Sequence, residues 1–264
     1  MPSGSGTRSA RRTYVVIGTS AAGTQALSQI FKDLPSDFPG AILVVFHVAE
    51  RGQMAWLAGA LASIGHLPVK VAEASEVIRE GTAYIAPAGT HLLTKGDRIE
   101  LGAGPAEQQQ RPAIDALFRS AATTFGRRVI GVVLTGMLRD GTVGLRAVRD
   151  AGGITIIEDP ATAHSPEMPR SAMRAVSADY CVELSAIGPL LDLLVRRTGS
   201  MKKRVLETGL ASSVRLMRDR LRLLTRLLEQ SQRNPMTARF IKAEIAALGR
   251  EIGRIQKLIP GARR

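Results

Sequence analysis

Between Thr13 and Val195 the chain repeats one pattern: a short, unbroken apolar run, a turn, then in most cases a helical stretch. The runs are Tyr14–Ile17, Ala41–Phe46, Ala83–Ala86, Val129–Leu134, Ile154–Ile157 and Tyr180–Val182. Most are apolar throughout rather than alternating, as expected of strands buried on both faces. The helical stretches are Thr24–Asp33, Met54–Ile64, Ile114–Phe125, Val143–Asp150, Pro169–Val176 and Ala186–Arg197. Strands and helices in this alternation predict an α/β fold: a doubly wound, mostly parallel sheet with helices on both faces. One antiparallel excursion is predicted, a hairpin around Leu92–Leu101 turning at Lys95-Gly96-Asp97.

After Gly199 the pattern changes. No Gly or Pro interrupts Leu210 to Arg233, and Asn234-Pro235 then forces a break before a second helical segment, Met236 to Leu258. Met217, Leu221, Leu224 and Leu228 in the first segment, and Ile241, Ile245, Leu248, Ile252 and Ile255 in the second, step by fours and threes. This seam predicts a C-terminal α-helical hairpin. Charge follows the same division. Residues 1–195 hold 18 Lys+Arg and 18 Asp+Glu, while residues 196–264 hold 18 and 5, so the net +13 sits in the last quarter. The expected organisation is a disordered leader (1–12), a neutral globular domain (13–198) and a basic helical hairpin (199–264). A solvated charged face on a hairpin that packs on the core or self-associates is one reading of the tail. Nucleic-acid binding is disfavoured, because Phe240 alone offers a stacking platform there.

The single cysteine, Cys181, excludes a disulfide framework and suits a reducing cytosol. No apolar run approaches the roughly 20 residues of a spanning helix, and Met1 to Arg12 lacks the apolar centre of a signal peptide. A cytoplasmic protein without a membrane span is expected.

Ser20 lies just past the first strand, in the turn Gly18-Thr-Ser-Ala-Ala-Gly23, before a helix. A serine there presents its hydroxyl at the sheet's edge, beside a helix N-terminus that favours developing negative charge. A serine nucleophile needs a base and a group that orients the base. Ligands of open parallel sheets bind outside the strands' C-terminal ends, so strand-end residues are the first candidates. His47 ends Ala41–Phe46, and Asp140 lies on the turn after Val129–Leu134. Competing roles remain open: His47 satisfied by a backbone carbonyl, and Asp140 as N-cap of the helix beginning near Thr142. His66, His91 and His164 are weaker bases by position, and Asp115 and Asp159 weaker carboxylates. The first turn lacks the Gly-Lys-Ser/Thr ending of a P-loop and the middle glycine of a dinucleotide fingerprint. It also departs from the G-x-S-x-G elbow, since Ala22 replaces the last glycine. No histidine–carboxylate spacing suggests a metal site, and no cofactor is expected.

These motifs resemble the catalytic domain of the CheB-type chemotaxis protein-glutamate methylesterases. The resemblance rests on V-V-I-G-T-S-A-A-G-T, V-V-F-H, Y-I-A-P, R-P-A-I-D-A-L-F-R-S-A-A, G-V-V-L-T-G-M-L-R-D-G-T-V-G-L and M-P-R, in order from Tyr14 to Val195. It implies a serine hydrolase with the triad Ser20, His47 and Asp140. That hydrolase would remove methyl esters from glutamate side chains on chemoreceptor cytoplasmic helices, with related glutamine deamidation. It also implies oxyanion donors on backbone N–H groups near Met137 and His47, with Ala21 on the substrate side. Docking of the basic hairpin onto receptor segments becomes a further reading of the tail. Three departures flank the triad. Ala21-Ala22-Gly23 stand for Thr-Gly-Gly, which puts a Cβ at 22 where the turn favours glycine. Val48-Ala49 stand for Met-Pro, and Leu138-Arg139 for Gly-Asp or Gly-Asn. Family members commonly carry an N-terminal receiver domain, and twelve leader residues cannot hold one, so phosphorylation control in cis is expected to be absent. The departures also motivate an alternative: a weakened esterase core serving as a scaffold or binding module through its basic hairpin.

Overall fold

The computed structural model describes residues 12–47 and 53–200, with positions 217, 221, 225, 242, 245–250 and 252 beyond them. The leader up to Arg11, positions 48 and 49, and most of the C-terminal hairpin lie outside the described residues. The chain divides into two compact units, Met1–Gly199 and Ser200–Arg264.

The first unit is a seven-stranded parallel sheet. Its strands are β1 (Tyr14–Thr19), β2 (Ala41–Phe46), β3 (Val69–Val71), β4 (Ala83–Ile85), β7 (Val129–Val133), β8 (Ile154–Glu158) and β9 (Tyr180–Val182). They are ordered β3-β4-β2-β1-β7-β8-β9. The antiparallel pair β5 (His91–Lys95) and β6 (Arg98–Gly102) stands apart, with Lys95 opposite Arg98 and Gly96-Asp97 as its turn. The helices are α1 (Gly23–Asp33), α2 (Gln53–Ile64), α3 (Ile114–Phe125), α4 (Thr142–Asp150), α5 (Glu167–Ala175) and α6 (Leu184–Ser200).

The period of two along β1 divides the core. Val15 and Ile17 pack with Leu27 and Ile30 of α1, Leu57 of α2 and Leu191 of α6. Tyr14 and Val16 pack with Leu117 and Phe118 of α3, Leu145 of α4 and Met168 of α5. Helices therefore cover both faces, and the uniform apolarity of the strands is explained. The expected doubly wound sheet is borne out. β3 was not predicted, because its three half-buried residues, Val-Lys-Val, carry too little pattern. α5 begins two residues earlier than expected, since Pro169 falls in its first turn, where a missing N–H costs nothing.

β1 pairs with β2 on one side and β7 on the other, with Gly18 level with both Val45 and Val133. The chain leaves β1 toward β2 and later returns on the opposite side at β7. This switch point opens a crevice at the strands' C-terminal ends. Gly18 is required there, because a Cβ on it would overlap the side chain of Ile114 at the start of α3.

Candidate active site

Ser20, His47 and Asp140 all lie at this crevice, past the ends of β1, β2 and β7. The sheet pairing carries on into the turns. His47 N–H donates to Thr19 O at 3.2 Å, and Ser20 N–H donates to Thr135 O at 3.1 Å. The three strand-end segments are thereby held side by side.

The histidine and the aspartate are in contact. His47 Nε2 lies 2.9 Å from Asp140 Oδ2, with side chains 9% and 3% exposed. The ring N–H is not aimed along that line, so the two groups are in close contact without an aligned hydrogen bond. A carboxylate on Nε2 favours the Nε2–H tautomer and leaves Nδ1 as the proton acceptor. Ser20 Oγ makes no side-chain hydrogen bond among the described residues. Ser20 is packed instead: a Cβ on Gly136 would stand 2.9 Å from Ser20 Cβ and overlap Met168 Sδ.

Asp140 is not the N-cap of the helix after it. Gly141 takes that position in α4, with φ 93° and no side-chain cap. Asp140 turns across to α3, where Oδ2 accepts Ile114 N–H at 2.8 Å and Oδ1 accepts Asp115 N–H at 2.9 Å. Oδ1 also accepts Gly141 N–H at 2.8 Å. Asp115 returns the arrangement, its Oδ1 accepting Gly144 N–H in the first turn of α4 at 2.6 Å. Each aspartate thus satisfies the orphan N–H groups of the other's helix. Burial pushes the Asp115 carboxyl above the usual aspartate range; the Gly144 N–H opposes this, and the nearby Asp140 charge adds to it.

The remaining candidates serve structure. His91 is buried; its Nδ1 accepts Ala113 N–H at 3.2 Å, so its Nε2 donates to Pro105 O at 2.9 Å. Asp159 accepts Ala161 N–H in a turn. His66 and His164 are exposed. Among the described residues no group of three His, Cys, Asp or Glu side chains is placed to hold a metal, and no helix is long and apolar enough to cross a membrane.

Two departures noted in the sequence have a backbone consequence. Ala22 has φ 61° and Leu138 φ 67°, both in the left-handed region that favours glycine. Met137 and Leu138 are 59% and 62% exposed on the Asp140 turn.

A family model for CheB methylesterase matches residues 15–191. The chain belongs to the CheB methylesterase family. A protein-glutamate methylesterase/protein-glutamine glutaminase of Anaeromyxobacter dehalogenans is 42% identical over 189 residues, 72% of this chain and 55% of the relative. Protein-glutamate methylesterase FrzG of Myxococcus xanthus is 41% identical over 181 residues, 67% of this chain and 53% of FrzG. The chain thus spans about half the length of these two, and 91% of a Leptospira interrogans relative that is 37% identical. The crystal structure of the Thermotoga maritima CheB methylesterase catalytic domain superposes with a TM-score of 0.66 at 36% identity. That match covers 69% of this chain and 98% of the Thermotoga domain.

Two polar residues of the CheB-type crevice escaped the sequence reading. Thr135 follows Val129–Leu134 directly, and Glu158 ends β8. Both sit at strand C-terminal ends, so the rule that selected His47 also points to them.

Proposed function

We propose that this chain is a serine hydrolase that removes methyl esters from glutamate side chains of chemoreceptors and deamidates receptor glutamines, with Ser20, His47 and Asp140 as its triad. The buried contact of 2.9 Å between His47 and Asp140, next to the turn that carries Ser20, supports this reading most directly. Ser20 Oγ attacks the ester carbonyl carbon while His47 Nδ1 takes its proton. Asp140 holds the ring through Nε2 and stabilises the imidazolium. The tetrahedral oxyanion needs fixed N–H donors. The His47 N–H that the resemblance implied as a donor is already spent on Thr19 O, whereas among the described residues the N–H groups of Ala21 and Met137 donate to no protein acceptor, which suits them to that role. Collapse of the intermediate returns the proton to methanol and leaves a glutamyl-serine ester. Water, activated by the same histidine, then frees the glutamate. The substrates are methylated chemoreceptor cytoplasmic helices, the place of action is the cytoplasm, and the basic C-terminal segment contributes to docking or self-association.

Ser20→Ala is expected to abolish methanol release from methylated receptor while the fold, read by circular dichroism, persists; undiminished release removes the reading. The unpartnered Ser20 Oγ favours the second reading, a weakened core used as a binding module. A fluorophosphonate probe that labels the wild type but not Ser20→Ala counts against it. Loss of receptor capture on deleting residues 199–264 assigns docking to the tail.

A further inference from the structure

Glu158 is a buried carboxylate that the proposed chemistry leaves unused. It ends β8 and is 2% exposed. Burial pushes its carboxyl above the ordinary glutamate value, opposed only by the Thr135 N–H, which donates to Oε2 at 2.6 Å. Among the described residues no cation pairs with it. A lone buried carboxylate is costly, and it persists where its geometry is needed.

That geometry centres on Thr135. The β7·β8 pairing ends at Val133 and Ile157, and past it Asp159 N–H donates to Val182 O of β9 at 2.8 Å. The Thr135 N–H, beyond the end of β7, is met by the Glu158 side chain rather than by main chain. Every other polar group of Thr135 faces the nucleophile turn or the loop behind it. Its carbonyl accepts Ser20 N–H at 3.1 Å and Thr19 Oγ1–H at 2.9 Å. Its hydroxyl lies 3.2 Å from Ala21 O, as donor, and accepts Ser165 N–H at 2.8 Å. Thr135 thus ties Thr19, Ser20 and Ala21 to the sheet, and Glu158 fixes the peptide from which those bonds radiate.

We propose that ionised Glu158 is a positioning residue for the nucleophile: it locks Thr135, which anchors Thr19, Ser20 and Ala21, and protonation of Glu158 loosens that anchor. The proposal rests on the esterase reading of Ser20. It gives the reaction a second group that must be deprotonated, beside the histidine base. Glu158 borders an open cleft of about 470 Å³. The titratable groups facing it there are His164, from the loop after β8, and Glu183, from the segment after β9; α1 contributes the uncharged Gln25 and Gln29.

The test is the pH profile of p-nitrophenyl acetate hydrolysis by the full chain, with amide exchange at Thr135 followed by NMR. In the wild type the acid limb of log kcat/KM is expected to fall with a limiting slope of about two, one proton each for His47 and Glu158. Glu158→Gln keeps an acceptor for Thr135 N–H but cannot titrate. As a neutral acceptor it stands for the protonated acid, so it is expected to reduce the slope to about one, with a plateau about 10²-fold below the wild type. Glu158→Leu lowers kcat about tenfold or more, with KM within about twofold, because a small misplacement of the nucleophile is expensive. His164→Gln leaves the limb in place. The protection of the Thr135 amide, its exchange corrected for the intrinsic pH dependence, falls on acidification in the wild type and not in Glu158→Gln. A wild-type slope of one, an unchanged profile in Glu158→Gln, or loss of the limb in His164→Gln overturns the proposal. Hydrolysis that survives Ser20→Ala removes the esterase reading instead, and the Thr135 exchange result still decides the Glu158 link.

Discussion

Asp140 accepts three backbone N–H groups and touches His47, whereas Ser20, across the same crevice, is held through its backbone and its packing alone. The carboxylate side is fixed by two helix N-termini, which the reciprocal bonds of Asp140 and Asp115 cross-link. The Ser20 side hangs on Thr135 and includes Ala22 in a conformation that costs roughly 1 kcal/mol for a residue with a Cβ. An orienting group works by not moving. A nucleophile must rotate to meet its base and then to present an acyl group to water. The uneven bonding suits the two tasks that the proposed triad assigns to Asp140 and Ser20.

The comparison can be broken hardest at Asp140. Asp140→Asn is expected to cost about 10⁴-fold in kcat, because it loses the tautomer control on His47. Asp140→Ala adds a stability loss of about 1–3 kcal/mol in urea unfolding, since Ile114 and Asp115 keep buried, unmet N–H groups. If Asp140→Ala unfolds like the wild type, the cross-link between helices is not structural.

On the Ser20 side Gly136→Ala should be next in size. Its Cβ collides with Met168 and crowds Ser20, so about 10²-fold in kcat is expected, with a loss of about 1–3 kcal/mol. An unaffected Gly136→Ala would mean that the turn yields more readily than its packing implies.

Smaller effects separate charge from shape. Folding raises the carboxyls of both Asp115 and Glu158 through burial. Between the unfolded value, about 4, and the raised folded value, the folded state holds more protons than the unfolded one. Each group's contribution to stability is thus greatest below that window and falls as pH rises through it. Glu158→Gln should therefore be more stable than the wild type at pH 7, with the gain shrinking as pH falls and vanishing below about pH 4. A constant difference across pH would refute the assignment. Smallest of all, Ala22→Gly should gain at most about 1 kcal/mol, as relief of the left-handed strain outweighs the added freedom of the unfolded chain. A loss there would show that the Ala22 methyl packs usefully.

Most of the sheet was legible because its signal is local. Each of Ala41–Phe46 and Val129–Val133 is apolar enough to announce a buried strand by itself. β3 was not legible, because three residues at an edge carry no period. Ser20, His47 and Asp140 could be placed at strand ends by the same local signal.

Which residues those ends face is another matter. The sequence by itself determined an α/β layering and a polar side chain after each central strand, since hydrophobic period and turn chemistry act over a few neighbours. Only the tertiary structure decided that Asp140 caps α3 rather than its own α4, that Asp115 caps α4 in return, and that Glu158 reaches Thr135. Those contacts exist because the order β2-β1-β7-β8 places strands from distant parts of the chain side by side. Orphaned N–H groups and buried carboxylates then pair with whatever that order brings within reach.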